Sequence, residues 1–382
     1  IPRTKEEQEL QKKAVEAGEQ ALKNGEVAIF VVAGGQGSRL DYNGPKGMFP
    51  ATPIKNKSLF QLFAEKILAL NKRYSAKLSW FIMTSDQNDA ATRSYFEEKK
   101  YFGLGKENIF IFQQGMIPAL DTSGRLVLRQ KHEICMNPNG HGGSILALQI
   151  SGSVAEMKQR GIKYIFYFQV DNPLLIMADP AFIGHHILKQ ADMSAKVLPK
   201  AYPEERGGVY GYINGKMGVI EYSDLTKDEM YAKDEKGNLL YNAGNIAIHV
   251  ISVDFVEKLN IGGLRLPYHV ARKKVETHMG EIDGIKFETF VFDAFAEARR
   301  YAILEVKREE NFAPIKNKEG IDSPATARDM MINLFAEWLA AAGVDVPRKD
   351  GVVDGTIEIS PLYALDKEEF VRKYQEKHKL LP

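Results

Sequence analysis

The chain has 382 residues, 44% hydrophobic and 26% charged, and its 51 Lys+Arg against 50 Asp+Glu leave a formal net charge of +1. That composition excludes a disordered chain, the apolar runs fall well short of the ~20 residues a bilayer span needs, and the charge balance excludes a polyanion-binding surface built on surplus lysine and arginine. Cys135 is the only cysteine, which excludes an intrachain disulfide or a cysteine metal cluster and fits a reducing, cytoplasmic setting.

The chain opens at Ile1, and no signal-peptide pattern follows. Thr4 and Glu7 have capping-box spacing, and Leu10, Ala14, Ala17, Ala21 and Leu22 form an apolar stripe before Asn24-Gly25, which predicts a helix over residues 4–24. Val27–Ala33 is a continuous apolar run of the kind buried on both faces of a parallel sheet. Ser58 and Gln61 repeat the capping spacing before a helix carrying Leu59, Leu62, Phe63, Ile67 and Leu70. Trp80–Thr84 then reads as a strand, Asp89–Lys99 as a helix, Ile109–Phe112 as a strand, Ser144–Arg160 as one helix and Ile162–Val170 as a strand. This alternation predicts a doubly wound α/β fold with a Rossmann-like central sheet.

Beyond Asp171 short strands are expected at Lys196–Lys200, Gly208–Ile213, Met217–Tyr222 and Asn245–Val250, with a hairpin turn at Asn214-Gly215. Ser252–Asn260 reads as a helix, Lys286–Phe292 and Tyr301–Lys307 as strands around a short helix, and Thr326–Ala342 as a helix closed by Gly343. The tail is expected to hold short strands in Gly351–Ile359 and a charged helix, Asp366–His378. The chain thus divides into an N-terminal helix (1–25), a main domain (26–343) with a β-rich insertion at about 196–300, and a small C-terminal unit (344–382).

The strongest motif is Gly34-Gly35-Gln36-Gly37-Ser38-Arg39-Leu40, followed by Gly44-Pro45-Lys46-Gly47. It leaves a buried strand directly, at the end where sheets of this class bind ligands. Glycines bring backbone N–H donors close to a phosphate, and Arg39 and Lys46 add fixed positive charge. The pattern is not G-x-x-x-x-G-K-[ST], and Leu40 stands where a dinucleotide fingerprint needs its third glycine, which counts against an NAD-dependent oxidoreductase.

This loop resembles the nucleotide loop of the UDP-sugar pyrophosphorylases, most closely the eukaryotic-type UDP-N-acetylhexosamine branch. The likeness continues collinearly through Phe112–Met116, Pro138–Gly143, Val170–Leu174, Ala178–Pro180, Glu221–Ser223, Tyr241–Ile246, Leu266–Ala271, Phe290–Asp293, Phe312–Asn317 and Glu358–Leu362. The resemblance implies a UTP:sugar-1-phosphate uridylyltransferase that makes a UDP-sugar and pyrophosphate, with N-acetylglucosamine 1-phosphate favoured. A glucose 1-phosphate or broad-specificity enzyme is the alternative, and a non-catalytic UDP-sugar-binding protein the remote one. Two anions must be brought together, so the task calls for positioning and cations rather than a covalent intermediate or a strong base.

By the same resemblance Arg39 and Lys46 hold the triphosphate and Lys316 sits on the sugar-phosphate side. Gln114 and Gly140 read the base, Gly34 and Gly35 lie close to the nucleotide, and Gly208, Glu221 and Asn242 line the sugar pocket. Asp171 ends a buried apolar strand, where a carboxylate needs a cation or hydrogen bonds, so it reads either as a ligand of Mg²⁺ (or Mn²⁺) or as the cap of an Asp-Asn-Pro turn. His141 replaces the asparagine usual in the N-acetylhexosamine enzymes and reads either as a ribose or phosphate contact or as a neutral loop histidine. Asp293 reads as a secondary metal candidate or, more readily, as a structural helix cap, and His269 lacks zinc-ligand spacing. Asp41 replaces a usual glycine, the Lys196–Pro203 stretch lacks a common acidic residue, and the N-terminal extension is short. The first two departures bear on which sugar is used rather than on the reaction class.

Overall fold

The computed structural model describes residues 2–379. Among the described residues a nine-stranded sheet forms the centre, in the order Lys216–Ile220, Val209–Ile213, Ala243–Ser252, Tyr164–Gln169, Val27–Val32, Trp80–Thr84 and Ile109–Gln113. Met193–Pro199 joins it against Ala243–Ser252, and Tyr301–Glu305 pairs beyond that strand. From Tyr164–Gln169 to Ile109–Gln113 neighbouring strands run parallel, and Ala243–Ser252 returns antiparallel.

The apolar runs are continuous because both faces are covered. Ile29 and Val31 pack on one side with Phe60, Phe63, Trp80 and Phe168, while Ala28 and Phe30 pack on the other with Phe81, Met83 and Tyr167. Successive side chains of a strand point to opposite faces, so each strand contributes to both clusters. Leu59–Tyr74 covers the first face; Gly143–Ile150, Ser153–Gln159 and Val253–Asn260 cover the second. The α/β reading therefore holds. The N-terminal helix, Lys5–Lys23, carries both halves of the Thr4/Glu7 capping box. It lies against Pro180–Leu188 so closely that a Cβ on Gly184 would stand 1.6 Å from the Ala14 carbonyl oxygen.

Several expected elements change. Ser144–Arg160 is two helices rather than one, broken where Gly152 adopts φ 77°. The strand expected at Lys286–Phe292 is instead Gly280–Glu288, paired with His269–Thr277, and Val291–Glu297 winds into a 3₁₀ turn. That hairpin buries little beyond Val275 and Gly284, so charged residues on both faces conceal its alternation. In the tail, strand structure contracts to Val352–Val353 against Arg348–Lys349. The tail is fastened by Glu358, which accepts the N–H groups of Ile54 and Lys55 at 2.7 and 2.8 Å, and by Arg73, which pairs with Asp366 and Glu369.

From Val27–Val32 the chain passes to Trp80–Thr84 on one side and returns to Tyr164–Gln169 on the other. The carboxyl ends of these two neighbours of the switch, Val27–Val32 and Tyr164–Gln169, open the crevice in which open α/β sheets bind ligands.

Two core histidines make stability pH-dependent. His186 lies between Ser194 Oγ (2.8 Å) and Ser252 Oγ (3.0 Å), and His249 lies among the rings of Tyr167 and Phe295. Burial pushes both imidazoles from 6.5 down to about 3. The unfolded chain then binds protons near pH 6.5 that the folded chain refuses. Stability is intact above pH 6.5 and falls as pH drops toward 3, by about 1.4 kcal/mol per pH unit for each histidine. Denaturant titrations between about pH 7 and about pH 5 read this slope, and a flat profile there refutes the neutral, buried state.

Candidate active site

The glycine loop is built against the next strand. Lys46 N–H donates to the Gly35 carbonyl at 3.0 Å and Gly37 N–H to the Gly44 carbonyl at 2.9 Å, folding the segment into a closed turn. Gly47 packs on Phe60, where a Cβ would stand 2.2 Å from the ring. Gly34 faces Gln114, whose amide nitrogen would be 2.9 Å from an added Cβ. Nothing lies within 4 Å of the place a Gly35 Cβ would take, so that face is open to a ligand.

Beneath the loop are residues the sequence reading passed over. Asn88 is buried. It donates to the carbonyls of Ala33 (2.9 Å) and Gly35 (3.2 Å) and accepts the Ser85 N–H (2.8 Å). Ser85 Oγ donates to the Gly34 carbonyl at 2.8 Å. The signal was available: Ser85-Asp86-Gln87-Asn88 follows a buried strand, and side chains of this kind bond to nearby backbone at such ends.

Three cations gather beside one carboxylate, with Arg39 and Lys316 within electrostatic reach of Lys46. Lys46 Nζ stands 3.9 Å from Asp171 Oδ2, both side chains being mostly buried. Burial pushes the Lys46 ammonium below its usual value, the Asp171 charge opposes that shift, and the positive charges of Arg39 and Lys316 add to it. Lys316 is half-exposed, 3.6 Å from Asp322 and over the ring of Phe312. Its segment is fixed by Ile315 N–H donating to the Asp171 carbonyl at 2.8 Å. Arg39, Lys46, Asp171 and Lys316, drawn from three separate stretches of sequence, thus share one end of the sheet. No group of three His, Cys, Asp or Glu able to hold a metal occurs among the described residues. Any divalent cation at Asp171 therefore completes its shell with water and ligand oxygens, which is how Mg²⁺ is ordinarily held.

The stretch 139–143 lies backbone to backbone on Glu288–Phe290. Thr289 N–H donates to the Asn139 carbonyl and Gly142 N–H to the Thr289 carbonyl, each at 2.8 Å. Gly140 is at φ 81°, and a Cβ there would meet the Thr289 carbonyl oxygen at 2.4 Å. Asn139 N–H reaches the Gly115 carbonyl at 3.2 Å, so Gly140 and Gln114 come from adjoining segments. His141 Nδ1 accepts the Val291 N–H at 3.2 Å, and its ring stacks on Phe290 with centroids 5.2 Å apart. Burial pushes its imidazole down to about 4, so it is neutral at pH 7. With Nδ1 occupied as acceptor, the proton resides on Nε2.

Phe290 also stacks on His269 with centroids 4.3 Å apart, and His269 Nε2 lies 2.8 Å from Asp293 Oδ2. Asp293 thus serves a histidine rather than the helix cap expected of it. Glu221 lies within electrostatic reach of this pair, and burial raises its carboxyl above the usual range. Gly208 is beside it, with Glu221 Oε1 3.1 Å from the place of an added Cβ. Asn242 Oδ1 accepts the Lys200 N–H at 2.7 Å, which leaves its NH₂ group as the donor it can still offer. Gly208 and Glu221 are neighbours, and Asn242 joins them through the next strand, where Asn245 N–H donates to the Gly208 carbonyl at 2.9 Å.

A family profile described as UTP–glucose-1-phosphate uridylyltransferase matches residues 2–339. UDP-N-acetylglucosamine diphosphorylase 1 of Arabidopsis thaliana is 38% identical over 362 residues, covering 90% of this chain and 72% of the relative. The UDP-N-acetylglucosamine pyrophosphorylase of Saccharomyces cerevisiae is 38% identical over 361 residues, covering 90% of this chain and 75% of the relative. The crystal structure of the uridine diphosphate N-acetylglucosamine pyrophosphorylase from Trypanosoma brucei in complex with inhibitor superposes with TM-score 0.88 at 30% identity, covering 99% of this chain and 82% of that one.

Asn88→Ala removes the partner of the Ala33 carbonyl and of the Ser85 N–H in the buried scaffold of the loop, while the Gly35 carbonyl keeps the Lys46 N–H. An unsatisfied buried group costs about 1–3 kcal/mol, so unfolding free energy is expected to fall by about 2–4 kcal/mol. Amide exchange at Gly37 and Lys46, whose N–H groups close the loop, is expected to accelerate. Unchanged protection at both amides removes Asn88 from the loop's support.

Proposed function

The chain belongs to the family described as UTP–glucose-1-phosphate uridylyltransferase, and we propose that it joins UTP to a hexose 1-phosphate, giving a UDP-sugar and pyrophosphate. N-acetylglucosamine 1-phosphate is the favoured acceptor, supported by the N-acetylglucosamine-named relatives at 38% identity. The observation that carries the reading is the gathering of Arg39 and Lys316 around Lys46, itself 3.9 Å from Asp171, beside an open glycine loop.

In this reading an oxygen of the sugar phosphate attacks the α-phosphorus of UTP in line. A new P–O bond forms as the bond from the α-phosphorus to the bridging oxygen breaks, and pyrophosphate leaves with the bonding electrons. The nucleophile is already anionic, so no residue need remove a proton. Glycine-loop N–H groups with Arg39 and Lys46 bind and orient the triphosphate, and Lys316 draws the second phosphate toward it. Asp171 is the residue that would hold Mg²⁺, which when bound neutralises phosphate charge. Gln114 and Gly140 are assigned to the uracil edge, and Gly208, Glu221 and Asn242 to the sugar. A cytoplasmic location is part of the proposal, supported by a single unpaired cysteine, Cys135.

His141 favours a second reading within the same reaction. It offers one Nε2–H donor where the resemblance leads one to expect an amide, which suits glucose 1-phosphate or a broader range of sugars. Pyrophosphate release is to be measured with UTP, Mg²⁺ and, in turn, the 1-phosphates of glucose, N-acetylglucosamine and N-acetylgalactosamine. Release with N-acetylglucosamine 1-phosphate is expected; release with glucose 1-phosphate alone transfers the assignment to the second reading, and no release with any sinks both. Lys46→Ala and Lys316→Ala are each expected to lower turnover by about 10²-fold or more, the usual loss for an electrostatic stabiliser. Near-normal turnover in either variant ends that residue's assignment.

A further inference from the structure

Lys196, on the strand Met193–Pro199, is wholly buried, and nothing in the reaction described above uses it. Its ammonium lies 2.6 Å from Asp179 Oδ2, donates to Asn311 Oδ1 at 2.9 Å and sits over the ring of Phe182. Asp179 uses its other oxygen to cap the helix Pro180–Leu188, accepting the Ala181 N–H at 3.0 Å. The Asn311 carbonyl accepts Asn172 Nδ2 at 2.8 Å, and Asn172 Oδ1 accepts the Ala313 N–H at 3.0 Å. Two residues on, Ile315 N–H meets the Asp171 carbonyl, and Lys316 follows.

These bonds join three remote pieces of chain: the turn after Asp171, the strand carrying Lys196, and the segment that delivers Lys316. A buried ammonium is costly unless paired and hydrogen-bonded, and a buried ion pair replaced as a whole by apolar groups is often no less stable. The network's contribution is therefore directional. The two asparagines fix residues 311–315 in register with residues 171–172, and Lys196 fixes Asn311.

We propose that Lys196, Asn311 and Asn172 are positioning residues that set Lys316 against Asp171, with Lys196 acting through Lys316 and never touching substrate. The proposal rests on the uridylyltransferase reading for its catalytic consequence. Displacing a reacting group by about 1 Å costs up to about 10²-fold in rate.

Lys196→Met keeps the volume and removes the charge; Asn172→Ala, which leaves the Lys196–Asp179 pair intact, is the second variant should the first fail to fold. In pyrophosphate release each is expected to lower kcat by about tenfold or more, with KM for UTP within about twofold of wild type. Lys196→Met combined with Lys316→Ala is expected to be no slower than Lys316→Ala alone, whereas a merely structural lysine gives additive losses. Independently of activity, amide exchange at Ala313 and Ile315 is expected to accelerate while the helix Pro324–Ala341 keeps wild-type protection. Wild-type kcat in a folded variant, additive losses, or unchanged exchange at Ala313 and Ile315 overturns the proposal. If the wild-type protein releases no pyrophosphate, the functional reading fails and the exchange measurement alone decides the positioning claim.

Discussion

Three positive charges have to be held together before any substrate arrives. Lys46 is buried, and Arg39 and Lys316 both press its ammonium toward the neutral form. The Asp171 carboxylate, 3.9 Å away, opposes them. That separation is longer than a direct hydrogen bond, so the pair attracts without closing. An anionic ligand entering between the cations relieves their repulsion. The site is thus built to gain from anion binding, at a location where the sheet already directs ligands.

Mutual repulsion of this kind needs a rigid frame, and buried polar groups supply it on both sides of the crevice. Asn88 and Ser85 satisfy the carbonyls of Ala33, Gly34 and Gly35, so the loop keeps its shape without bulk of its own. On the opposite side Lys66 donates to the carbonyls of Pro173 and Leu175, each at 2.8 Å, bracing the turn that follows Asp171. Burial pushes that lysine down to about 7. These contacts are backbone-directed, which explains why the frame tolerates an open face at Gly35.

What the sequence made legible follows from periodicity. Val27–Val32, Trp80–Thr84 and Tyr164–Gln169 are buried on both faces, so composition alone identifies them. The Thr4/Glu7 box and the Asn214-Gly215 turn, with Asn214 at φ 50° and Gly215 at φ 78°, are local chemistry and were equally readable. The hairpin from His269 to Glu288 was not, because its strands face solvent with charged residues on both sides. Among site residues, those standing beside glycines or at strand ends carried a local signal. Asn172, Lys196 and Asn311 carried little, because their partners lie on other elements, up to 141 residues away in the case of Asn172.

The two ends of the crevice differ in charge character, and this bears on ligand orientation. The cations gather at the glycine-loop end. Toward Glu221 the wall is instead the stack of His141, Phe290 and His269, with His269 bonded to Asp293. His141 is neutral at pH 7, and burial raises both Glu221 and Asp293. A phosphate gains little there, whereas carboxyl, amide and imidazole groups suit hydroxyls. The stack also leads from residues 139–143 to His269, which lies within electrostatic reach of Glu221, so the surface assigned to the base adjoins the surface assigned to the sugar. A ligand with anionic phosphates at one end and an uncharged polar sugar at the other has a single favourable orientation in such a field. A chain of net charge +1 achieves this by placing its cations rather than by adding more of them.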